Sequence, residues 1–149
     1  MGLPGAGKTT LAESLRECLW YEGRTVSWFN ADLVRQQHND WDFSTAGRIR
    51  QSQRMQQCAA NATTDYVICD FVAALPEQRD LFDADWIVWV DTVSQGRYAD
   101  TNRDFVDPDH YDFRVTEQDS QRWAETIAEH VVANQHTAGS RHQSQAIST

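Results

Sequence analysis

At 149 residues, 40% hydrophobic and 23% charged, the chain has room for one domain around one core. Its net charge of −9 argues against a nucleic-acid coat or clamp, which needs a net positive surface to meet phosphates. No apolar run approaches the ~18 residues of a membrane span and no charged-then-apolar leader opens the sequence, so the expectation is a cytoplasmic protein, neither secreted nor membrane-spanning.

The chain begins with its most informative segment. Of 13 basic residues 12 are arginine, and the single lysine, Lys8, sits inside Gly2-Leu3-Pro4-Gly5-Ala6-Gly7-Lys8-Thr9. These eight residues match the phosphate-binding P-loop pattern at every fixed position. Glycines let successive backbone N–H groups turn inward around phosphate oxygens, where side chains would block the approach. The lysine reaches the β- and γ-phosphates, the Thr9 hydroxyl is placed for Mg²⁺, and the following helix aims its positive end at the anion. Average composition produces this pattern by accident in roughly one chain of this length in two hundred, so nucleotide binding is the stronger reading. ATP with Mg²⁺ is the expected cofactor pair, held by Gly2, Pro4, Gly5, Ala6, Gly7, Lys8, Thr9 and Thr10.

A P-loop normally follows a buried central strand, and only Met1 precedes Gly2. That strand is therefore expected to be missing from this chain, leaving a weaker core. Leu11, Leu15 and Leu19 recur at helical spacing, giving a helix over about 8–22 that ends near Gly23. Val26 to Phe29 reads as a short strand and Ala31 to Gln37 as a helix, followed by an irregular stretch from Trp41 to Ser44. A long helix is expected over 45–63, with Ile49, Met55 and Ala59 or Ala60 on its buried side. Tyr66 to Phe71 and Trp86 to Val90 are continuous apolar runs, the pattern of strands covered on both faces. Pro76 opens a short helix between them.

Residues 95–112 are polar and read as a mobile loop or lid, and Phe113 to Val115 as a last short strand. Thr116 and Asp119 have capping-box spacing ahead of a final helix that runs to about Asn134. Its Trp123, Ile127, Val131 stripe reads as core. Residues 137–149, rich in Ser, Gln, Ala and Thr, read as a disordered tail behind a domain at 1–136. Leu, Ile, Val and Phe total only 29 residues, near the range of disordered chains, but six Trp and four Tyr restore enough apolar surface to fold. Cys18, Cys58 and Cys69 and five scattered His fit no zinc or redox spacing and read as reduced thiols and ordinary imidazoles. The fold expected is α/β: a three-layer P-loop NTPase with a mostly parallel sheet and helices on both faces, lacking its first strand.

Over residues 2–54, and more weakly over 66–93, the chain resembles the adenylylsulfate kinases. That family's loop reads Gly-Leu-Ser-Gly-Ala-Gly-Lys-Thr-Thr-Leu-Ala, from which Gly2 to Ala12 differs only at Pro4. Its next motif, Asp-Gly-Asp-x-Val-Arg, stands here as Asn30-Ala31-Asp32-Leu33-Val34-Arg35. The resemblance implies a small kinase that phosphorylates the 3′-hydroxyl of adenylyl sulfate, a small nucleotide. Asp32 would orient that hydroxyl and hold Mg²⁺, while Asn30, in place of an acid, orients but cannot take a proton. Arg35 would pair with an anionic group, Phe43 would stack on adenine, and Arg48 and Gln51 would bind the acceptor. Val72-Ala73-Ala74 replaces the family's Ile-Ser-Pro, and Arg79 matches a downstream arginine. Phe71 joins the acceptor set. Asp70, ending an apolar strand, reads either as a Mg²⁺-orienting acid or as an exposed strand terminus.

In the lid, Gly96-Arg97-Tyr98 and Phe105-Val106-Asp107 are similar to family segments. Arg97 or Arg103 would close on the γ-phosphate, and Phe105 would complete an adenine sandwich. Two other readings stay open: a P-loop kinase for another nucleotide, a sugar or a nucleic-acid end, and an ATP-binding regulatory module without transfer activity. The assembly state is also open, a homodimer included.

Overall fold

The computed structural model describes residues 1–134 and 144–149. In chain order the elements are α1 (Lys8–Tyr21), β1 (Val26–Asn30), α2 (Ala31–His38), α3 (Thr45–Asn61), β2 (Tyr66–Asp70), α4 (Pro76–Phe82), β3 (Trp86–Val90), α5 (Ala99–Asp104), β4 (Phe113–Val115), α6 (Ser120–Ala133) and β5 (Gln145–Ser148). The strands form one sheet in the order β1-β2-β5-β3-β4, every neighbouring pair parallel.

Strand alternation divides the apolar runs between two cores. Tyr66, Ile68, Val88, Val90 and Ile147 pack with Leu11, Leu15 and Leu19 of α1 and with Ile127 and Val131 of α6. Val67, Cys69 and Trp89 face the other way, toward Val34 of α2, Met55 of α3 and Phe82 of α4. Both faces are thus covered, which is why β2 and β3 read as unbroken hydrophobic runs. The Tyr66 hydroxyl, buried under α6, donates to the Val131 carbonyl at 3.1 Å, so its burial leaves no polar group unpaired.

Four expectations need correction. β5 lies between β2 and β3, in register with Tyr66–Cys69 on one side and with Trp86–Ile87 on the other. The last residues of the supposed tail are therefore central strand, because two flanking strands offer their backbone groups and apolar faces to whatever fills the gap. Residues 135–143, with the start of that tail, lie outside the described residues. The lid carries a helix, α5, and Asn102 folds back to accept from the Gly96 N–H at 2.7 Å and donate to the Gly96 carbonyl at 3.1 Å. Asp119, rather than Thr116, caps α6, its carboxylate accepting from the Arg122 N–H at 3.2 Å.

The fourth correction concerns α3. Met55 is buried, but Ile49 and Ala59 are only half-buried and Ala60 is exposed. The buried side of the helix carries Arg48, Gln51 and Ser52 instead. Polar groups are tolerated there because each has a fixed partner: Gln51 donates to the Ala31 carbonyl, and Gln78 of α4 donates to both the Arg48 carbonyl and the Ser52 hydroxyl.

Candidate functional site

The phosphate loop lies at the end of the central strands, where parallel sheets place their ligand crevices. Gly7 precedes α1 in a left-handed conformation, φ 95°, and provides no side-chain cap, leaving the first backbone N–H groups of the helix directed at the crevice. Gly2 is required for a different reason. A Cβ at this position would lie 2.3 Å from the Val90 carbonyl oxygen, so only glycine lets the loop leave the sheet this close to β3. The Thr92 hydroxyl donates to the Ala6 carbonyl at 2.6 Å and ties the loop to the segment after β3.

Lys8 is buried, and its Nζ donates to the Leu3 carbonyl at 2.9 Å. Burial lowers its pKa, while the charges of Asp70 and Asp32 oppose that shift. Across from it, Asp70 is only 2% exposed and accepts two hydrogen bonds at one oxygen. Thr9 Oγ1 and Asn30 Nδ2 both donate to Asp70 Oδ2, each at 2.7 Å. The β1–β2 register, which pairs Asn30 with Asp70, brings these side chains together. Of the two readings of Asp70, the exposed terminus is excluded by its burial.

Asn30 is engaged at both ends. Its Oδ1 accepts from the N–H groups of Asp32 and Leu33, capping α2, while its Nδ2 holds Asp70. It therefore serves as a positioning residue between a helix terminus and a buried carboxylate. Asp32 sits exposed on the first turn of α2, and among the described residues its carboxylate has no hydrogen-bond partner.

The other half of the crevice is built on loop 40–44. Arg35 Nη1 donates to the carbonyls of Asp40 and Asp42 at 3.1 and 3.0 Å, and its guanidinium lies 4.6 Å from the centre of the Phe43 ring. Buried Arg48 donates through Nε to the Phe43 carbonyl and through Nη2 to the Thr101 hydroxyl of α5. Asp40 is gripped by Arg50 and Arg54 at 2.7 and 2.8 Å, which holds its carboxyl well below the usual range. Phe43 itself stays exposed, held over the crevice by its backbone and by Arg35.

A cavity of about 870 Å³ joins the two halves. Pro4, Gly5, Gly7, Lys8, Thr9, Thr10, Asn30, Asp32, Arg35, Phe43, Arg48, Gln51, Asp70, Phe71 and Arg97 all line it. Gly2 and Ala6, both buried, do not line it. Phe105 also lies off the cavity, its ring under the Arg79 guanidinium at 5.4 Å and against the core around Phe82. Arg103 pairs with Asp104 and does not line the cavity, whereas Arg97 does.

Trp41, Gln78, Tyr98 and Thr101 line the cavity without having been picked out. Exposed aromatics in polar stretches, Trp41 and Tyr98, carried a usable signal. Gln78 and Thr101 carried none, because their role depends on which helices meet. Among the described residues no cluster of three His, Cys, Asp or Glu side chains could hold a metal alone. No helix among them is long and apolar enough to cross a membrane.

The sequence model of the adenylylsulphate kinase family matches residues 1–87. Among solved structures the chain is similar to the Mycobacterium tuberculosis APS kinase CysC in complex with AMPPNP and APS, with a TM-score of 0.70 at 22% identity, over 89% of this chain and 92% of that one. A cysteine-to-alanine mutant of the same M. tuberculosis enzyme gives 0.71 at 23% identity, over 87% and 91%. APE1195 gives 0.72 at 21% identity, over 89% and 92%. Among curated proteins the chain matches none. The structural likenesses speak for the fold, and the family match spans more than half the chain.

Proposed function

The chain belongs to the adenylylsulphate kinase family, and on that premise we propose that it is an ATP-dependent kinase acting on the 3′-hydroxyl of adenylyl sulfate. One observation carries the reading: a single cavity is lined at one end by the phosphate loop with Lys8, and at the other by Arg35, Phe43, Arg48 and Gln51. A phosphoryl donor and a flat, anionic acceptor would meet there in line.

In the reaction, the acceptor oxygen bonds to the γ-phosphorus as the bond to the β,γ-bridging oxygen breaks, and ADP leaves with that electron pair. The loose transition state asks mainly for positioning and for charge stabilisation. The N–H groups at the start of α1 and the Lys8 ammonium meet the negative oxygens of the donor. Arg97, exposed and close to Gly5, is the further cation on the lid side. Asp32 is the carboxylate available to orient the acceptor hydroxyl and accept its proton, a role Asn30 cannot take.

Thr9 and Asp70 fit a Mg²⁺ ion by chemistry, since a hydroxyl and a carboxylate oxygen in contact are the hard donors it prefers. Thr9 and Asp70 would hold the ion, which would supply charge neutralisation for the phosphate oxygens. Asn30 keeps Asp70 turned toward Thr9.

A second reading, a kinase for a different acceptor, is favoured by one specific observation. Phe105 packs under Arg79 instead of lining the cavity, so the aromatic expected to oppose Phe43 across an adenine is off the wall, where Trp41, Phe71 and Tyr98 stand instead. ADP release by the purified protein with Mg·ATP, with and without adenylyl sulfate and against Lys8→Ala, separates the two. Release that needs adenylyl sulfate and vanishes in Lys8→Ala is expected. ATP binding without such stimulation would sink the adenylyl sulfate reading and turn the question to other acceptors, or to a regulatory module if none supports turnover.

A further inference from the structure

Among the described residues three other than glycine have a left-handed backbone: Asn39, Ala73 and Asp83, with φ of 46°, 46° and 51°. Two of them have an ordinary reason. Asn39 and Asp83 close the C-terminal ends of α2 and α4, and short polar side chains of their kind tolerate that conformation best. Ala73 closes no helix and has no polar side chain to bond its own backbone, so its Cβ works against the conformation with nothing local to offset it. Strain of this kind persists only where the surroundings hold it, and it gathers where a protein grips a ligand. Ala73 stands in such a place: Phe71, Val72 and Ala73 form the stretch of cavity wall just beyond Asp70.

The hold comes from Arg79 of α4. Its Nε donates to the Ala73 carbonyl at 2.9 Å, and its Nη2 donates to the carbonyls of Ala74, at 3.2 Å, and of Val106. The Val106 N–H donates back to the Ala74 carbonyl at 2.9 Å. Val106 follows Phe105, the residue that caps the C-terminal end of α5, so one guanidinium fastens the cavity wall to the exit of the lid. The Phe105 ring, 5.4 Å from the guanidinium, covers the clamp, and Asp107, Asp109 and Asp80 offset the burial of its charge. The neighbouring Gln78 extends the connection to the acceptor half. Its Oε1 accepts from the Leu75 N–H at 3.2 Å while its Nε2 donates to the carbonyl of Arg48, the residue that supports Phe43. Arg79 does not line the cavity, so it acts on a ligand there only through the residues it holds.

We propose that Arg79 is a positioning residue for the acceptor: by gripping the Ala73, Ala74 and Val106 carbonyls it keeps the wall in its left-handed turn and ties that wall to the lid. Without those donors Ala73 is free to relax to a negative φ, and the wall loses the shape it presents to the acceptor. The donor end, built on the backbone N–H groups of α1 and on Lys8, keeps its own supports. The kinetic consequence rests on the adenylyl sulfate reading above, whereas the clamp itself does not.

Steady-state kinetics of the intact protein with Mg·ATP and adenylyl sulfate test the positioning. Arg79→Met keeps an apolar stem over Phe105 and loses every donor. It is expected to raise the adenylyl sulfate KM at least tenfold, with the ATP KM within twofold of the parent. Glycine takes a left-handed backbone without strain, so adding Ala73→Gly to Arg79→Met is expected to recover at least threefold of that loss. An unchanged acceptor KM, an equal rise in both KM values, or no recovery in the double variant overturns the inference. Should Arg79→Met fail to fold, Arg79→Lys takes its place, since one ammonium cannot meet three carbonyls as the planar guanidinium does. Its acceptor KM is expected to rise at least threefold, and a KM within twofold of the parent overturns the inference. A measurement without acceptor keeps the two readings apart. In the parent the Ala73 backbone carbon shifts are expected to report a left-handed residue. In the Arg79 variant they should move away from it, with the Val106 amide exchanging at least tenfold faster. If the parent binds AMPPNP and adenylyl sulfate stimulates no ADP release, the acceptor reading falls, and the clamp stands or falls on those shifts and that exchange rate.

Discussion

Asn30→Asp restores the acid of the family motif, and the structure sets its cost. Asn30 Nδ2 lies 2.7 Å from Asp70 Oδ2, and Asp70 is 2% exposed. Replacing the amide by a carboxylate removes a donor to a charged group, worth about 1.5–3 kcal/mol. It also sets two like charges roughly 4 Å apart, which at an effective dielectric near 20 repel by about 4 kcal/mol. The cap on α2 survives, because aspartate caps as well as asparagine. Two carboxylates this close relieve the repulsion by sharing a proton, so the pair titrates above the ordinary carboxylate range.

The sign follows from that proton. A pKa raised in the folded state means the variant keeps its stability at low pH and loses it as pH rises through the folded value. Without nucleotide or metal, the expected deficit against the parent is about 3 kcal/mol at pH 7.5, or roughly 6–12 °C in Tm for a chain of this size. At pH 5 it should fall below about 1 kcal/mol, an O–H donor having replaced the lost N–H. Asn30→Ala is the comparator, losing both the helix cap and the donor to Asp70 for about 2.5–4 kcal/mol at both pH values, with no new group to titrate. Calorimetry of the three proteins at both pH values decides the matter. A deficit for Asn30→Asp that is independent of pH, as that of Asn30→Ala is, would refute the placement of Asn30 against Asp70.

Lys8→Met should abolish AMPPNP binding while raising the Tm of the nucleotide-free protein near neutral pH. Burial disfavours the ammonium that it removes, and an apolar replacement is worth about 1 kcal/mol or more; a lower Tm at pH 7 would contradict this. The same depressed lysine pKa makes the parent gain stability as pH rises through the lysine's folded value toward 10.5, and Lys8→Met should lack that gain. Asp40, held low by Arg50 and Arg54, contributes above the ordinary aspartate pKa and loses that contribution as pH falls through its folded value. Asp40→Asn should therefore raise the acceptor KM severalfold at neutral pH, with kcat within twofold, and an unchanged KM would show that loop 40–44 needs no such anchor.

How much of this was legible depended on where the information lay. The phosphate loop, α1, β2 and β3 could be read because their signals are local: glycine spacing, a leucine every fourth residue, unbroken apolar runs. Asp70 was legible only as two alternatives, since burial of a strand terminus is decided by what packs over it. The polar face of α3 was misread because periodicity counts apolar residues, whereas Arg48, Gln51 and Ser52 are buried on partners from α4, α5 and the backbone at the start of α2. Phe105 was misplaced for a similar reason, an aromatic being equally content under Arg79 or over a base.

The C-terminal strand is the strongest case. Gln-Ala-Ile-Ser has one large apolar residue and no run, so composition alone reads it as tail. Its burial comes from neighbours: Tyr66 and Ile68 on one side, Trp86 and Val88 on the other, and α1 and α6 above. A parallel sheet with two flanking strands already twisted and covered presents backbone donors and acceptors along both edges of a gap. A short segment that satisfies them gains the burial those strands have prepared. A strand that fills such a gap therefore need not be strongly strand-forming. It must fit the gap, and Ile147 is the side chain that gives it the right face.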